Sequence, residues 1–552
     1  MSLVDQTGTK RIARFGAQLC TLLVVAGVLS SCSTGSSRST APSTASSTTG
    51  SKGGNHTLVV DTAFVVKTLD PDRDNNPTSA MVFHQVYETL LTYSNGNNTS
   101  LVPDLATSYT ANSSLTQFTF HLRTGVRFSD GTPLTSADVV FSLMRLKYLL
   151  APNSNVMKGV VATAPNASTV VLTSTKPYPS LPEVMTFEAT GVLNSKAVIA
   201  HGGTDSPNAA STDRATAWLS SHSAGSGPYE LNSANLSSQI VLTRNPNYWG
   251  TTPVYGRVVL QNVSSSSQQR LDVTSGAANI ATNLGGTSAA NLPSNVYMTS
   301  DVPDRDYLLQ FNMNPAVSAV SSNADFREAV RYALNYKQLM ALAPIVSAPL
   351  PSVIPPGFPG GLPAADATQQ NLTLAKQALA RSGLKNPTIQ MLYIGNFTYD
   401  GVNFDNIVQA IQAELAAVGI TLQLDPTTSA AFVTAIASDK VAMFFGPRRA
   451  RYVDMSGFNF FGPGQPFGRQ SNYTAANADP AVVSALQTAE TSLSLATRTA
   501  AYATFQTALI TSNGPYVPLF ATKTLFVASD SVTNLKPVAA GWYITFSELG
   551  YK

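Results

Sequence analysis

Few residues in this chain are equipped for chemistry. Its 552 residues include five His and two Cys, and only 12% are charged. Ser226 lies in Ala224-Gly225-Ser226-Gly227-Pro228, where a proline replaces the helix that a strained nucleophile turn requires. Carboxylate pairs occur at Asp70/Asp72 and Asp304/Asp306, residue types that could share glycosidic acid–base work. From the sequence they read instead as solvated loop residues. His84 and His121 fall inside predicted regular elements and read as structural histidines. No phosphate-binding loop, H-E-x-x-H pair or dinucleotide G-x-G-x-x-G is present. We therefore expect no enzyme, no catalytic residue, no metal site and no cofactor.

The N-terminus speaks to compartment. Lys10, Arg11 and Arg14 precede an apolar run over 17–29, too short for the ~20 residues that a bilayer core takes, so 1–31 read as an export signal. The run ends in Leu29-Ser30-Ser31-Cys32, which resembles a bacterial lipobox with Cys32 as the lipidated residue. Cleavage there removes three cations and Asp5, taking the formal charge from +3 to about +1, and also removes Cys20. No free thiol then remains for catalysis, disulfides or metal. Residues 32–54 are a Ser/Thr/Gly-rich tether with an r.m.s. reach of roughly 26 Å. A nearly neutral chain without clustered Lys and Arg does not suit nucleic acid.

The remaining elements alternate. Strands are predicted over 57–61, 118–123 and 420–424, and helices over 81–91, 325–340, 373–382 and 403–418. Thr135 and Asp138 form a capping box for a helix whose apolar stripe is Val139, Leu143, Leu146 and Leu150. Gly383 and Gly419 stand where helices should stop. Such alternation argues for α/β lobes.

Ordered segments carry a resemblance. Leu69-Asp70-Pro71, Val86-Tyr87-Glu88-Thr89-Leu90-Leu91, Pro103-Asp104-Leu105-Ala106 and the block over 118–131 come first. Asp138 to Ser142, Gly225-Ser226-Gly227-Pro228-Tyr229, Arg244 to Trp249, Leu309 to Asn312, Phe326 to Leu334 and Pro515 to Leu519 follow. Together they resemble the bacterial extracellular solute-binding proteins of family 5, peptide- and nickel-binding components of ABC importers.

The resemblance implies an α/β, two-lobed periplasmic-binding-protein-like fold of the large type, with an extra subdomain in lobe I. It maps lobe I to 55–93 with 220–308 and 518–552, the subdomain to 94–219 and lobe II to 309–517. The hinge would lie near Leu308–Asn312 and Tyr516–Leu519. It implies a lipid-anchored monomer on the extracytoplasmic face of the cell membrane. There it would capture di- or oligopeptides by hinge closure and deliver them to a permease with ATPase subunits. Metal chelates, oligosaccharides, opines or haem are alternative cargoes of the same fold, and a non-transporting surface lipoprotein is a further alternative. Implied ligand contacts are Asn75, Asn76 and Thr78 from lobe I, and Tyr393, Asn396, Phe397 and Tyr399 from lobe II. Relatives carry an acidic "GWxxDYxDP" segment that holds a peptide ammonium. Here the matching stretch contains Pro447, Arg448, Arg449 and Arg451, with only Asp454 remaining. An arginine ~4 Å from an ammonium would be unfavourable by up to a few kcal/mol. This departure points toward an anionic group or a blocked or larger peptide.

Overall fold

The computed structural model describes residues 56–552 apart from 75, 95, 98–99, 344–346, 400 and 539–543. The export signal, Cys32, the tether and Asn75 lie outside the described residues.

Three sheets carry the architecture. A seven-stranded sheet centres on His56–Thr62, which pairs in parallel with Tyr255–Asn262 and Ile280–Ala281. A six-stranded sheet centres on Arg305–Phe311, flanked antiparallel by Tyr516–Thr522 and Met443–Arg449. The third sheet holds four antiparallel strands, ordered Ala106–Ala111, Gln117–Leu122, Thr169–Ser174 and Val160–Asn166. Arg305–Phe311 and Tyr516–Thr522 are buried at all seven positions, as central strands covered on both faces must be.

The chain passes from the seven-stranded to the six-stranded sheet between Ser300 and Arg305, and back between Thr522 and Leu525. The crossings therefore fall at 301–304 and 523–524, not at Leu308–Asn312 and Tyr516–Leu519. Those expected positions lie inside paired strands, whose ladder hydrogen bonds keep them from acting as the flexible step.

Local expectations moved for identifiable reasons. The helix expected over 81–91 runs Pro77–Val86, started by Pro77 and ended by an extended Tyr87. The helix expected over 325–340 breaks into Ala324–Ala333 and Tyr336–Ala341, because the Asn335 side chain accepts the Gln338 N–H at 3.2 Å and caps a new helix. The Thr135 N–H donates to Asp138 at 2.9 Å, closing the capping box.

Charge is scarce, yet much of it is buried. Asp70 and Asp72 are not solvated: both are fully buried around the equally buried Arg145. The Arg145 guanidinium donates to Asp70 (2.7 and 2.9 Å), Asp72 (2.7 Å) and Asp213 (2.9 Å). Burial raises Asp72 above the ordinary carboxylate range, against the pull of Arg145. This cluster ties the helix Ser136–Tyr148 to the loop after the first strand.

The recognisable motifs converge on Glu88. Gly225 and Gly227 pack on the end of the helix Pro77–Val86, where an added Cβ would lie 1.9 Å from the Val86 carbonyl oxygen or 2.4 Å from that of Gln85. The Ser226 hydroxyl and the Trp249 indole each donate to Glu88 at 2.6 Å, and the Arg123 guanidinium lies 3.9 Å above the Trp249 ring. Asp104 accepts the Thr89 N–H at 3.0 Å. Burial, then the charge of Asp104, pushes Glu88 well above the ordinary carboxyl range. Glu88 thus accepts one hydrogen bond on each carboxyl oxygen.

Asp304 and Asp306 are buried too, and the Asp306 carboxylate oxygens meet no hydrogen-bond donor. Desolvation, then the charge of Asp304, holds Asp306 well above its ordinary range.

Two predictions follow from these buried acids. Glu88→Gln keeps one acceptor oxygen for the Trp249 indole and offers an amide N–H that the Ser226 hydroxyl can accept, and should cost about 1 kcal/mol. Glu88→Ala strands both Ser226 and Trp249 and should cost about 3 kcal/mol in a denaturant melt; equal losses would show that the acceptor kept by Gln contributes nothing. For Asp306, folding raises the carboxyl above its unfolded value of about 3.9. Stability is then lost as pH rises from there toward the raised folded value, by about 1.4 kcal/mol per unit. Asp306→Asn should remove that slope, so its melting-temperature gain over the natural chain grows as pH rises above about 4. A gain independent of pH would contradict the assignment.

Candidate functional site

The two strands that place the site run antiparallel, so Arg305 at the start of one and Arg448 and Arg449 at the end of the other reach the same end of the six-stranded sheet. Arg305 pairs across the ladder with Arg449, and Asp306 with Arg448. Side chains alternate faces along a strand, so these guanidiniums wrap both sides of the sheet end. Arg451 follows just beyond the strand. A cavity of about 240 Å³ opens there. Its walls are Arg305, Arg448, Arg449, Arg451 and Tyr399, with Pro447, Phe460 and Phe467, and Asn76 and Pro77 close it from the helix start packed against the seven-stranded sheet. The cavity therefore lies between the two lobes.

The wall is strongly positive, and Arg448 and Arg451 make hydrogen bonds to neutral partners. Arg448 donates to the Pro447 carbonyl and to Gln470 Oε1, both at 3.1 Å, and stacks 4.5 Å above Phe467. Its Nε is buried without an acceptor. Arg451 donates to Asn155 Oδ1 at 2.6 Å and lies 4.7 Å above Phe460. Among the described residues, no carboxylate lies within 4.0 Å of Arg448 or Arg451, and none lines the cavity. Desolvation lowers Arg448 and Arg451 to about 10, and Arg449 also shifts down. All three therefore stay charged at neutral pH while lacking their usual hydration. That combination favours an anion that supplies charge-assisted, bidentate hydrogen bonds.

The expected contacts divide. Asn76, Tyr399, Arg448, Arg449 and Arg451 meet at this cavity. Thr78 is fully buried, and its hydroxyl accepts the Val65 N–H at 3.0 Å. Tyr393 is buried and donates to Asp405 at 2.9 Å, while the Asn396 N–H donates to the other oxygen of that carboxylate at 2.8 Å. Phe397 stacks on Tyr399 with centroids 5.9 Å apart, supporting the cavity wall without lining it. Asp454 is not a cavity residue: it caps the turn Met455–Phe461 and accepts from Arg498 at 2.9 Å. Its Oδ1 also takes the Ser456 hydroxyl at 2.6 Å.

Sequence reading missed Arg305, Phe460 and Phe467. Arg305 was legible only as the residue between Asp304 and Asp306, and strand alternation, once the strand is known, is what separates it from both. The aromatic residues carried no signal in a chain with 24 Phe. Among the described residues no His, Cys, Asp or Glu group is arranged to hold a metal ion, and no helix is long and apolar enough to cross a membrane.

Comparison with known proteins places this geometry. The Escherichia coli K12 protein described as a probable D,D-dipeptide-binding periplasmic protein, DdpA, is 27% identical over 381 residues, covering 68% of this chain and 70% of its own. A glutathione-binding protein, GsiB, from E. coli O6:K15:H31 is 23% identical, covering 66% and 69%. Among solved structures, the Helicobacter pylori periplasmic binding protein DppA with the peptide STSA superposes with a TM-score of 0.76 at 20% identity, covering 90% of this chain and 98% of that one. AgaA from A. tumefaciens R10, solved with agropinic acid, gives a TM-score of 0.74 at 21% identity, covering 90% and 99%. These likenesses establish the two-lobed periplasmic-binding-protein-like fold. Residues 100–464 match the family described as bacterial extracellular solute-binding proteins, family 5 Middle. With that match spanning more than half of its length, the chain belongs to the family 5 extracellular solute-binding proteins, the extracytoplasmic capture components of ABC importers.

Proposed function

We propose that the cargo is a carboxylate-bearing solute, a short acidic peptide or peptide-like acid whose anionic end enters the inter-lobe cavity. The observation that carries this reading is a cavity wall with four guanidiniums and no lining carboxylate among the described residues. An isolated ammonium would be repelled here, whereas a carboxylate gains two-pronged hydrogen bonds. The cavity volume of about 240 Å³ suits one compact charged group. Relatives named for glutathione and D,D-dipeptides, and neighbours solved with agropinic and mannopinic acids, support an acid of modest size.

Capture works through differential contact. Asn76 and Pro77 belong to one lobe and the arginines to the other, so a solute that bridges them stabilises the closed form. Steps at 301–304 and 523–524 are where closure would bend the chain. In this reading Cys32 carries the lipid, the tether spans the distance to the membrane, and the closed form delivers cargo to permease and ATPase subunits.

Isothermal titration with matched peptides tests the proposal. Acidic dipeptides such as Ala-Asp should bind at least tenfold tighter than Ala-Ala and its C-terminal amide. Arg448→Gln should weaken the acid by ten- to a hundredfold, equivalent to about 1.5–3 kcal/mol for a charge-assisted contact. Raising salt from 50 to 500 mM should weaken it further. Equal affinity for acidic and amidated ligands would overturn the reading.

A further inference from the structure

A second and larger chamber lies on the other side of one wall of the anion cavity. It has a volume of about 630 Å³. One wall comes from the segments beside the four-stranded sheet, through Asn155, Tyr178 and Ser180. The other comes from the six-stranded-sheet lobe, through Tyr452, Asn459 and Tyr502. The partition between the chambers is one side chain thick. Phe460 lines both, and Arg451, which lines the anion cavity, donates at 2.6 Å to Asn155, which lines the larger chamber.

The inner surface of this chamber is mostly polar and uncharged, with the half-buried Glu490 carboxylate accepting the Asn459 amide N–H at 3.1 Å. Its phenols and amides are fixed by protein partners: Tyr178 donates to the Val156 carbonyl at 3.1 Å, and Tyr502 to Asn459 Oδ1 at 2.7 Å. The Ser180 and Ser456 hydroxyls lie within hydrogen-bond distance at 2.8 Å, joining the two walls. Arg498, the one buried cation in the lining, is neutralised by Asp454 at 2.9 Å. Lys158 and Lys176 stand exposed at the mouth. Phenol faces and fixed amides in a roomy seam suit neutral, hydrogen-bonding chains.

We propose that this chamber is a second subsite that receives the uncharged tail of the cargo, a chain of amide or hydroxyl groups whose carboxylate end is held by Arg448 and Arg451. This rests on the anionic-cargo reading. The cargo is then longer than a dipeptide: the arginine cavity selects its charge, and the phenol- and amide-lined chamber selects its length and polarity. The Arg451–Asn155 hydrogen bond is the gate that the chain of the cargo passes.

Competitive capture by the full-length mature protein, read by mass spectrometry, tests it. The probe is an equimolar mixture of Ala-Asp, Ala-Ala-Asp, and the corresponding tetra- and pentapeptides, with gluconate and maltobionate as polyol acids. The natural chain should retain a longer member, peptide or polyol, at least tenfold above Ala-Asp. Thr175→Trp with Gln487→Trp fills the chamber from two exposed lining positions. This double variant should lose the long members at least tenfold while keeping Ala-Asp unchanged. Peptides retained over sugar acids would assign the tail to amides, and the reverse to hydroxyls. A natural chain with no preference for longer members would overturn the second subsite, as would a filled variant that loses long and short members alike or neither. Arg448→Gln separates the two readings. If Ala-Asp binding survives it unchanged, the anion assignment fails, while the length preference and its loss on filling still report on the chamber.

Discussion

A single buried carboxyl group, Glu88, ties together distant stretches of this fold. It accepts from Ser226 and Trp249 and lies beside Asp104, while Arg123 covers the Trp249 ring. Five stretches distant in sequence must all be in place for that group to be buried without an unpaired charge. Removing any donor would leave a polar group stranded, at a cost of about 1–3 kcal/mol. The glycines on either side of Ser226 serve the same contact, since a side chain there would strike the backbone at Gln85 and Val86. Arg145 performs a parallel task nearby, gathering three carboxylates that would otherwise repel one another.

The interior is therefore held by a few saturated polar nodes set among large apolar clusters, and the cleft is built differently. At the cleft two guanidiniums have, among the described residues, only neutral partners: Arg448 has an amide, a carbonyl and an aromatic face, and Arg451 has an amide and a ring. Burial lowers their proton affinity without discharging them. The difference has a physical meaning. A structural guanidinium is matched by carboxylates of its own chain, as Arg145 is, whereas a binding guanidinium leaves its strongest partnership open for the solute. The larger chamber beside this cavity shares Phe460 with it, and Arg451 donates to Asn155 in the chamber wall.

Much of the scaffold was legible in the sequence because its determinants are local. The helix beginning after Thr135 announces itself by a capping box and an apolar stripe, and Gly383 and Gly419 follow helices as expected. The failures are equally local in origin. Asn335 looks like one polar position in a long helix until its side chain is seen capping the next one. Asp70, Asp72, Asp304 and Asp306 look like solvated acids because nothing near them in sequence reveals Arg145 or a fully buried central strand. Asp454, the remnant of an expected ligand contact, belongs to Arg498, 44 residues away.

The sequence by itself determined the family, and it shows arginines where the resemblance leads one to expect an acidic segment. Those features are read from residue identity in order, and several of the family motifs meet at the buried Glu88 node. Tertiary structure alone decided which residues line the cavity between the lobes. Arg305 joins Arg448 and Arg449 only because two strands run antiparallel and end together, and Asn76 joins them only because the lobes meet there. The larger chamber has no signature at all in the chain, since its walls come from segments roughly 300 residues apart. Capture depends on surfaces assembled from separate lobes, and the positions that line such a surface are set by packing, which the linear order of residues does not encode.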